Sequence, residues 1–181
     1  MSQFHKYFKP GVLDRLNTLF HGISGVSLGE KSIIMKGAIL SRFPKKIKIG
    51  DKTIIKANAD ICVCNPDAKI SIGSDTTVGN YSFIYASDSV SIGDFCLIAP
   101  FVYIVDSNHL MGAGMPIRLQ ENISKPIVIK DDVWIGAHSI ILSGCEIGKG
   151  AVIAANSVVN CNVKEYEIWG GSPAKKIGER T

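Results

Sequence analysis

The chain has 181 residues, 46% of them apolar, and a formal net charge of +4, enough for one sizeable core and short for two. The charge is too small to argue for nucleic acid, and no apolar run approaches membrane-spanning length. Five cysteines, an odd number in no recognisable framework, suit a reducing compartment, so the chain reads as one cytoplasmic domain without a metal centre.

Residues 1–25 do not repeat and carry no continuous apolar segment of the signal-peptide kind. After Pro10 and Gly11, the positions Val12, Leu13, Leu16, Leu19 and Phe20 have helical spacing and predict a short amphipathic helix ending near Gly22. Its expected role is an N-terminal cap over an end of the core that would otherwise meet water. Attachment to a membrane surface through Lys6, Lys9 and Arg15 is the disfavoured alternative.

From Leu28 onward the sequence runs in sixes, most regularly at Ile129, Ile135, Ile141, Ile147, Ile153 and Val159. Every first position is Ile, Leu or Val, and the fifth is nearly always Ser, Thr, Ala, Cys or Val. The departures are Pro44, Asn65, Asp88 and Asn108. A period of six fits neither a helix nor plain strand alternation, but it fits a chain that makes a short strand, turns a corner and repeats. The expected fold is all-β: a parallel β-helix over residues 26–164 with about six triangular coils, roughly 29 Å long at about 4.8 Å per coil. Residues 165–181 are left as a C-terminal tail.

Three sixes make a coil, and every insertion follows the third six, so all of them leave from one corner of the prism. Most are short. The stretch 110–128 is long enough to predict an extruded loop, which in a compact domain points to function. The sixth position faces outward. On two faces it is apolar at ten of twelve places, Asp60 and Thr77 being the exceptions, and on the third it is polar or charged in most coils. Two apolar outer faces on a soluble prism predict that neighbouring copies cover them, and a homotrimer of parallel prisms is expected.

Among the histidines, His5 and His21 lie in the leader, while His109 and His138 lie on the prism. His109 ends the run Val105-Asp106-Ser107-Asn108-His109 at the corner where the loop departs, where a substrate could reach an imidazole suited to general-base work at neutral pH. His138 occupies a corner and reads as a surface residue. Cys96 and Cys145 fall on the small fifth position and read as packing, and Cys62-x-Cys64 lacks a second ligand pair for a metal.

The ordered run from IGDFCLIAPFVYIVDSNH through the loop to PIVIKDDVWIGAHSIILSGCEIGKGAVIAANSVV and GGSPAKKI resembles the hexapeptide-repeat acetyltransferases of the galactoside and maltose type, above all the sugar O-acetyltransferases of surface-polysaccharide assembly. The resemblance implies a left-handed β-helix, a trimer with active sites between subunits, and acetyl-CoA bound along the seam between two prisms. By the same resemblance His109 is the catalytic base and Trp134 stands beside the cofactor cleft. Backbone groups at Gly136, Ala137 and Ala155 hold the pantetheine arm, and Ser172 belongs to the loop against the adenine end. Asn160 falls where relatives often carry Thr-Lys, so Lys164, Lys175 or Lys176 is expected to meet the phosphates instead. On the acceptor side Asn80 and Asp88 are the nearest matches to the family's asparagine and carboxylate, with Tyr85 and the loop residue Arg118 as sugar contacts.

The expected reaction is acetyl transfer to a hydroxyl of a saccharide, with a backbone N–H near Gly136 or Ala137 facing the developing oxyanion. N-acetylation of an amino sugar or an antibiotic is the alternative within the family. A zinc anhydrase on the same fold needs three converging histidines, and a non-catalytic scaffold trimer leaves His109, the loop and the VWIG run unexplained.

Overall fold

The computed structural model describes residues 9–181, so His5 and Lys6 lie outside the described residues. The repeat winds into a left-handed β-helix of about six coils with three parallel sheets. Face 1 stacks six strands from Ser27–Leu28 to Glu146–Ile147. Face 2 stacks six from Ile33–Ile34 to Val152–Ile153, and face 3 six from Ile39–Ser41 to Val158–Val159. The register is strict: Ile34 pairs with Ile55 and Ile55 with Val78, so each first-position aliphatic residue sits on its counterpart in the next coil. All of these point inward, and the face 2 column Ile34, Ile55, Val78, Ile98, Ile135 and Ile153 is buried throughout.

The small fifth position has a physical cause. Thr53, Ser82 and Ser139 are wholly buried inside corners, where their hydroxyls donate to the carbonyls of Gly73 (2.6 Å), Ala99 (2.9 Å) and Ala154 (2.9 Å) in the following coil. A hydroxyl there fills the narrow corner and satisfies a carbonyl that would otherwise be stranded. Coil stacking also dictates the glycine after many of the aliphatic residues: a Cβ on Gly73 would stand 2.6 Å from the carbonyl carbon of Gly93. Each corner between faces 1 and 2 and between faces 2 and 3 turns through one left-handed residue, including Phe95 (φ 58°), Phe101 (φ 60°) and His138 (φ 59°), at about 1–2 kcal/mol for a residue with a Cβ.

Chain length varies only between face 3 and face 1. The long excursion differs from the loop that spacing predicts over 110–128. It leaves as early as Ser107, folds into a hairpin pairing Ser107–His109 with Asn122–Ser124, and rejoins face 1 at Ile127. Ile127 and Ile129 both enter the core with Val128 turned out between them, so strand alternation resumes before the hexapeptide count does. At the hairpin tip the Gln120 side chain bonds Gly112 N–H and C=O, both at 2.8 Å, and Met115 C=O at 2.6 Å.

The two ends are closed by different devices. Helix α1, Val12–Ile23, lies against the first coil, but with its polar side inward. Asn17 donates to the carbonyls of Met35 and Ala38, Thr18 receives the N–H of Ile34, Asp14 receives that of Lys36, and buried His21 bonds Ala38 C=O. The apolar stripe expected to cover the core is exposed instead, from 54% at Leu13 to 78% at Ile23. The reason is that a terminal coil presents a row of unpaired N–H and C=O groups, which only polar side chains can satisfy. At the other end residues 165–181 are no loose tail. The strands Glu167–Gly171 and Ala174–Glu179 form a hairpin that extends face 2, with half-buried Trp169 on the core and its indole N–H on Glu167 at 2.8 Å.

Candidate active site

The corner that launches the hairpin is built around Asp106. Its carboxylate is wholly buried and accepts the backbone N–H groups of Ser87 (2.7 Å) and Asp88 (2.8 Å) in the preceding coil. Its carbonyl accepts the Ser143 hydroxyl (2.7 Å) and the Lys125 N–H (2.9 Å) in the following one. Burial raises the Asp106 carboxyl above its ordinary range, and the two backbone donors oppose that shift. Three coils are thereby tied together beneath the strand that carries His109. His109 is exposed at the end of that strand, opposite Asn122, and the next residue is pinned by Leu110 N–H on Glu121 C=O (3.0 Å).

Trp134 stands on the outer row of face 2, between Leu97 and Val152, with 54% of its surface exposed. Ala137 and Ala155 follow on the corner between faces 2 and 3, where Asn156 N–H bonds Ala137 C=O at 2.9 Å. Ser172, Lys175 and Lys176 belong to the C-terminal hairpin on the same face, Ser172 through a cis peptide to Pro173 at its tip. Trp134, Ala137, Ala155, Ser172 and Lys175 thus share one side of the prism. Lys176 is engaged there by Glu167 (3.1 Å) and by Glu179. The N–H of Gly136 is committed to Ile153 C=O at 2.7 Å, which leaves Ala137 as the candidate oxyanion donor of the two.

The other sequence candidates lie elsewhere. Asn160 is exposed beyond face 3 in the last coil, whereas Lys164 is exposed just after Val163, which bridges to Ile147 on face 1, and its backbone N–H meets the Glu167 carboxylate at 3.2 Å at the base of the C-terminal hairpin. Asn80 holds Ala57 C=O at 3.3 Å on the corner between faces 2 and 3. Tyr85 lies on the outer row of face 3, where burial and the Asp60 carboxylate (2.9 Å) push its hydroxyl up to about 12. Asp88 is half-buried beside Asp106, and Arg118 is exposed in a short turn over Ile117–Leu119. Within one chain His109, at the corner opposite face 2, does not share a side with Trp134.

The model of the bacterial transferase hexapeptide (six repeats) matches residues 126–161. A probable macrolide acetyltransferase of Lysinibacillus sphaericus is 38% identical over 59% of this chain and 67% of its own length. The chain belongs to the hexapeptide-repeat transferase family. It is similar to WbbJ of Escherichia coli K12, which carries the name of a lipopolysaccharide biosynthesis O-acetyl transferase, at 34% identity over 60% of this chain and 59% of that one. In structure it is similar to AntD, an N-acyltransferase from Bacillus cereus, in complex with dTDP and 3-hydroxybutyryl-CoA. That match has a TM-score of 0.78 and 27% identity over 91% of this chain and 88% of that one. The chain spans between 42% and 59% of the length of several other curated relatives.

In this hexapeptide-repeat chain the spacing of the sixes does not single out Asp106. The available signal was a carboxylate directly after the last strand of a coil, three residues before the histidine. Asp88 breaks the small-residue rule but is only half-buried, and the wholly buried carboxyl group at this corner belongs to Asp106 in the next coil. His138, which reads in sequence as a surface residue, stacks on Phe101 at 4.7 Å, and Phe101 on Tyr81 at 5.3 Å, forming a ladder of parallel rings along the corner between faces 2 and 3. Burial pushes the Cys96 and Cys145 thiols up to about 11, in keeping with a packing role, while Cys62 and Cys64 sit with sulfurs 4.0 Å apart. No group of three or more metal-ligating side chains occurs among the described residues.

Proposed function

We propose that this chain transfers an acetyl group from acetyl-CoA to a hydroxyl of a saccharide, with His109 as general base. The observation that carries the reading is the placement of an accessible imidazole on a braced hairpin, at the corner opposite an exposed tryptophan wall of the same prism. A single prism cannot close such a site. The outer rows of faces 2 and 3 present Leu97, Trp134, Ile39 and Phe83 with 39–54% exposure, and the ring ladder lies on the corner these faces share. In a trimer with that corner turned to the axis, neighbouring prisms leave a wedge lined by face 2 of one copy and reached by His109 of the next.

The residues on the face 2 wall fit a pantetheine chain. Small side chains at Ala137 and Ala155 keep the backbone within reach, Trp134 offers a flat apolar surface, and Ser172 and Lys175 stand toward the C-terminal end, where the nucleotide and its phosphates would lie. His109 takes the acceptor proton as the hydroxyl oxygen forms its bond to the thioester carbon, the carbon–sulfur bond breaks, and the proton passes to the departing thiolate. Ala137 N–H faces the charge that builds on the carbonyl oxygen. Asn80, Tyr85, Asp88 and Arg118 are assigned to the acceptor side, Asn160 and Lys164 to the outer end of the cofactor, and Lys176 to holding the hairpin that carries Lys175.

A second reading, N-acyl transfer to an amino sugar, is favoured by the similarity to AntD, a mutant of which is in complex with dTDP-4-amino-4,6-dideoxyglucose and coenzyme A. Incubation with labelled acetyl-CoA and a panel of free sugars, nucleotide sugars and oligosaccharides tests both. An acetyl product that mild base removes supports the hydroxyl, and one that resists it assigns the nitrogen. His109→Ala should lower kcat by roughly a hundredfold or more while CoA still raises Tm. Near-wild-type turnover would remove His109 from the mechanism.

A further inference from the structure

A modest net charge of +4 conceals a steep gradient along the prism. Residues 9–56 contain ten Lys and Arg against three acids, a balance of +7, whereas residues 57–181 contain nine against thirteen, a balance of −4. The structure gathers the basic excess at one end. Every corner of the first coil carries exposed cations: Lys31 between faces 1 and 2, Lys36 between faces 2 and 3, and Arg42, Lys45 and Lys46 between faces 3 and 1. Of the three acids, Asp14 is turned inward, bonding the N–H groups of Gly11 and Lys36, both at 2.9 Å, while Glu30 and Asp51 are exposed together at the corner that carries Lys31, so the excess of exposed cations lies on the other two corners.

Across the same end lies α1 with its polar side consumed by the edge of the coil and an unbroken apolar stripe facing away. Val12, Leu13, Leu16, Leu19, Phe20 and Ile23 are all more than half exposed, and an apolar groove between Leu19, Ile23, Leu28 and Ile33 continues the stripe onto the prism. A soluble protein rarely leaves so much contiguous apolar surface uncovered. A second copy of this end would bring two strongly positive surfaces together, and like charges oppose that. An anionic partner is drawn to the cations and can receive the stripe as well.

We propose that the N-terminal end of the prism docks on an anionic phospholipid surface, with α1 lying in the plane of the interface. At about 1.5 Å per residue the twelve residues of α1 give roughly 18 Å, a length that lies in an interface and does not cross one. The stripe enters the boundary between headgroups and acyl chains, and the corner cations meet headgroup phosphates around it. The prism axis then stands away from the surface, with the hairpin that carries His109 several coils above it.

The test is flotation of the purified full chain with vesicles of phosphatidylcholine alone and with vesicles that also contain phosphatidylglycerol. The chain should float with the anionic vesicles, roughly tenfold or more weaker with the neutral ones, and progressively less as salt is added. Leu16→Glu/Phe20→Glu, at two exposed positions, should abolish flotation while the thermal melt and the oligomeric state stay as in the wild type. Lys45→Glu/Lys46→Glu should weaken binding to anionic vesicles alone and leaves α1 untouched, so it serves if the helix variant unfolds. A wild-type chain that stays with the unbound fraction, or a helix variant that floats as well as the wild type, overturns the proposal. So does self-association without lipid that the helix variant abolishes, which would assign the stripe to a second copy.

Discussion

Asp106 and Asp88 meet across two coils, the buried carboxylate of the first accepting the backbone N–H of the second at 2.8 Å. The bond fixes the corner from which the His109 hairpin leaves, and Asp106 lies three residues before His109 in the chain. Asp106→Ala strands the N–H groups of Ser87 and Asp88 and should cost roughly 2–4 kcal/mol of stability, with a loss of turnover beyond what unfolding explains. Asp106→Asn keeps one acceptor and should fall between. Because burial raises this carboxyl, the folded chain binds its proton more tightly than the unfolded one. Stability contributed by Asp106 is therefore present below the ordinary carboxylate value of 3.8 and lost as pH rises through the folded value. Denaturant titrations over that acid range should show this decline in the wild type and not in Asp106→Asn.

Trp134 is exposed in the isolated chain, so removing it should leave the fold of one prism intact. Trp134→Ala is expected to raise the KM for acetyl-CoA several-fold and to shrink the rise in Tm that CoA produces, with a change in intrinsic stability of about 0.5 kcal/mol or less. Calorimetric scans with and without CoA check both, and sedimentation separates a lost cofactor contact from a lost subunit contact.

His21 makes the docking of α1 sensitive to acid. Burial lowers its pKa below 6.5, opposed in part by the bond to Ala38 C=O, so the unfolded chain takes up the proton first. Stability contributed by neutral His21 is present above 6.5 and lost as pH falls through the folded value. His21→Gln, which retains a donor for Ala38, should flatten the slope. Melts at about pH 7.5 and about pH 5.5 measure it, with the helical signal reporting whether α1 loosens first.

Gly136 tests the stacking of coils beneath the proposed cofactor wall. A Cβ there would lie 2.5 Å from the amide nitrogen of Ala155, so Gly136→Ala should destabilise by roughly 1–3 kcal/mol and weaken acetyl-CoA binding by shifting that backbone. Gly114→Ala is the control, since nothing lies within 4 Å of its Cβ, and its Tm should match the wild type.

The strictly repeating sixes made the prism legible from sequence because one short rule, an aliphatic residue in and a small one at the corner, is enforced by a core too narrow for anything else. For the same reason Cys96 and Cys145 were readable as packing and His109 as the histidine where the repeat breaks. Other features have no local signature. The apolar stripe of α1 looks like a core-facing surface in sequence, and only the unpaired backbone edge of the first coil turns it outward. Asp106 looks like an ordinary loop acid until its carboxylate is found on the backbone of the coil before. The sequence by itself determined the scaffold, since its period is a property of neighbours along the chain. Tertiary structure decided which side of the helix faces out, which carboxylate braces the corner, and that His109 and Trp134 stand on different sides of one prism. Those relations join residues one or more coils apart, where spacing along the chain no longer fixes distance in space.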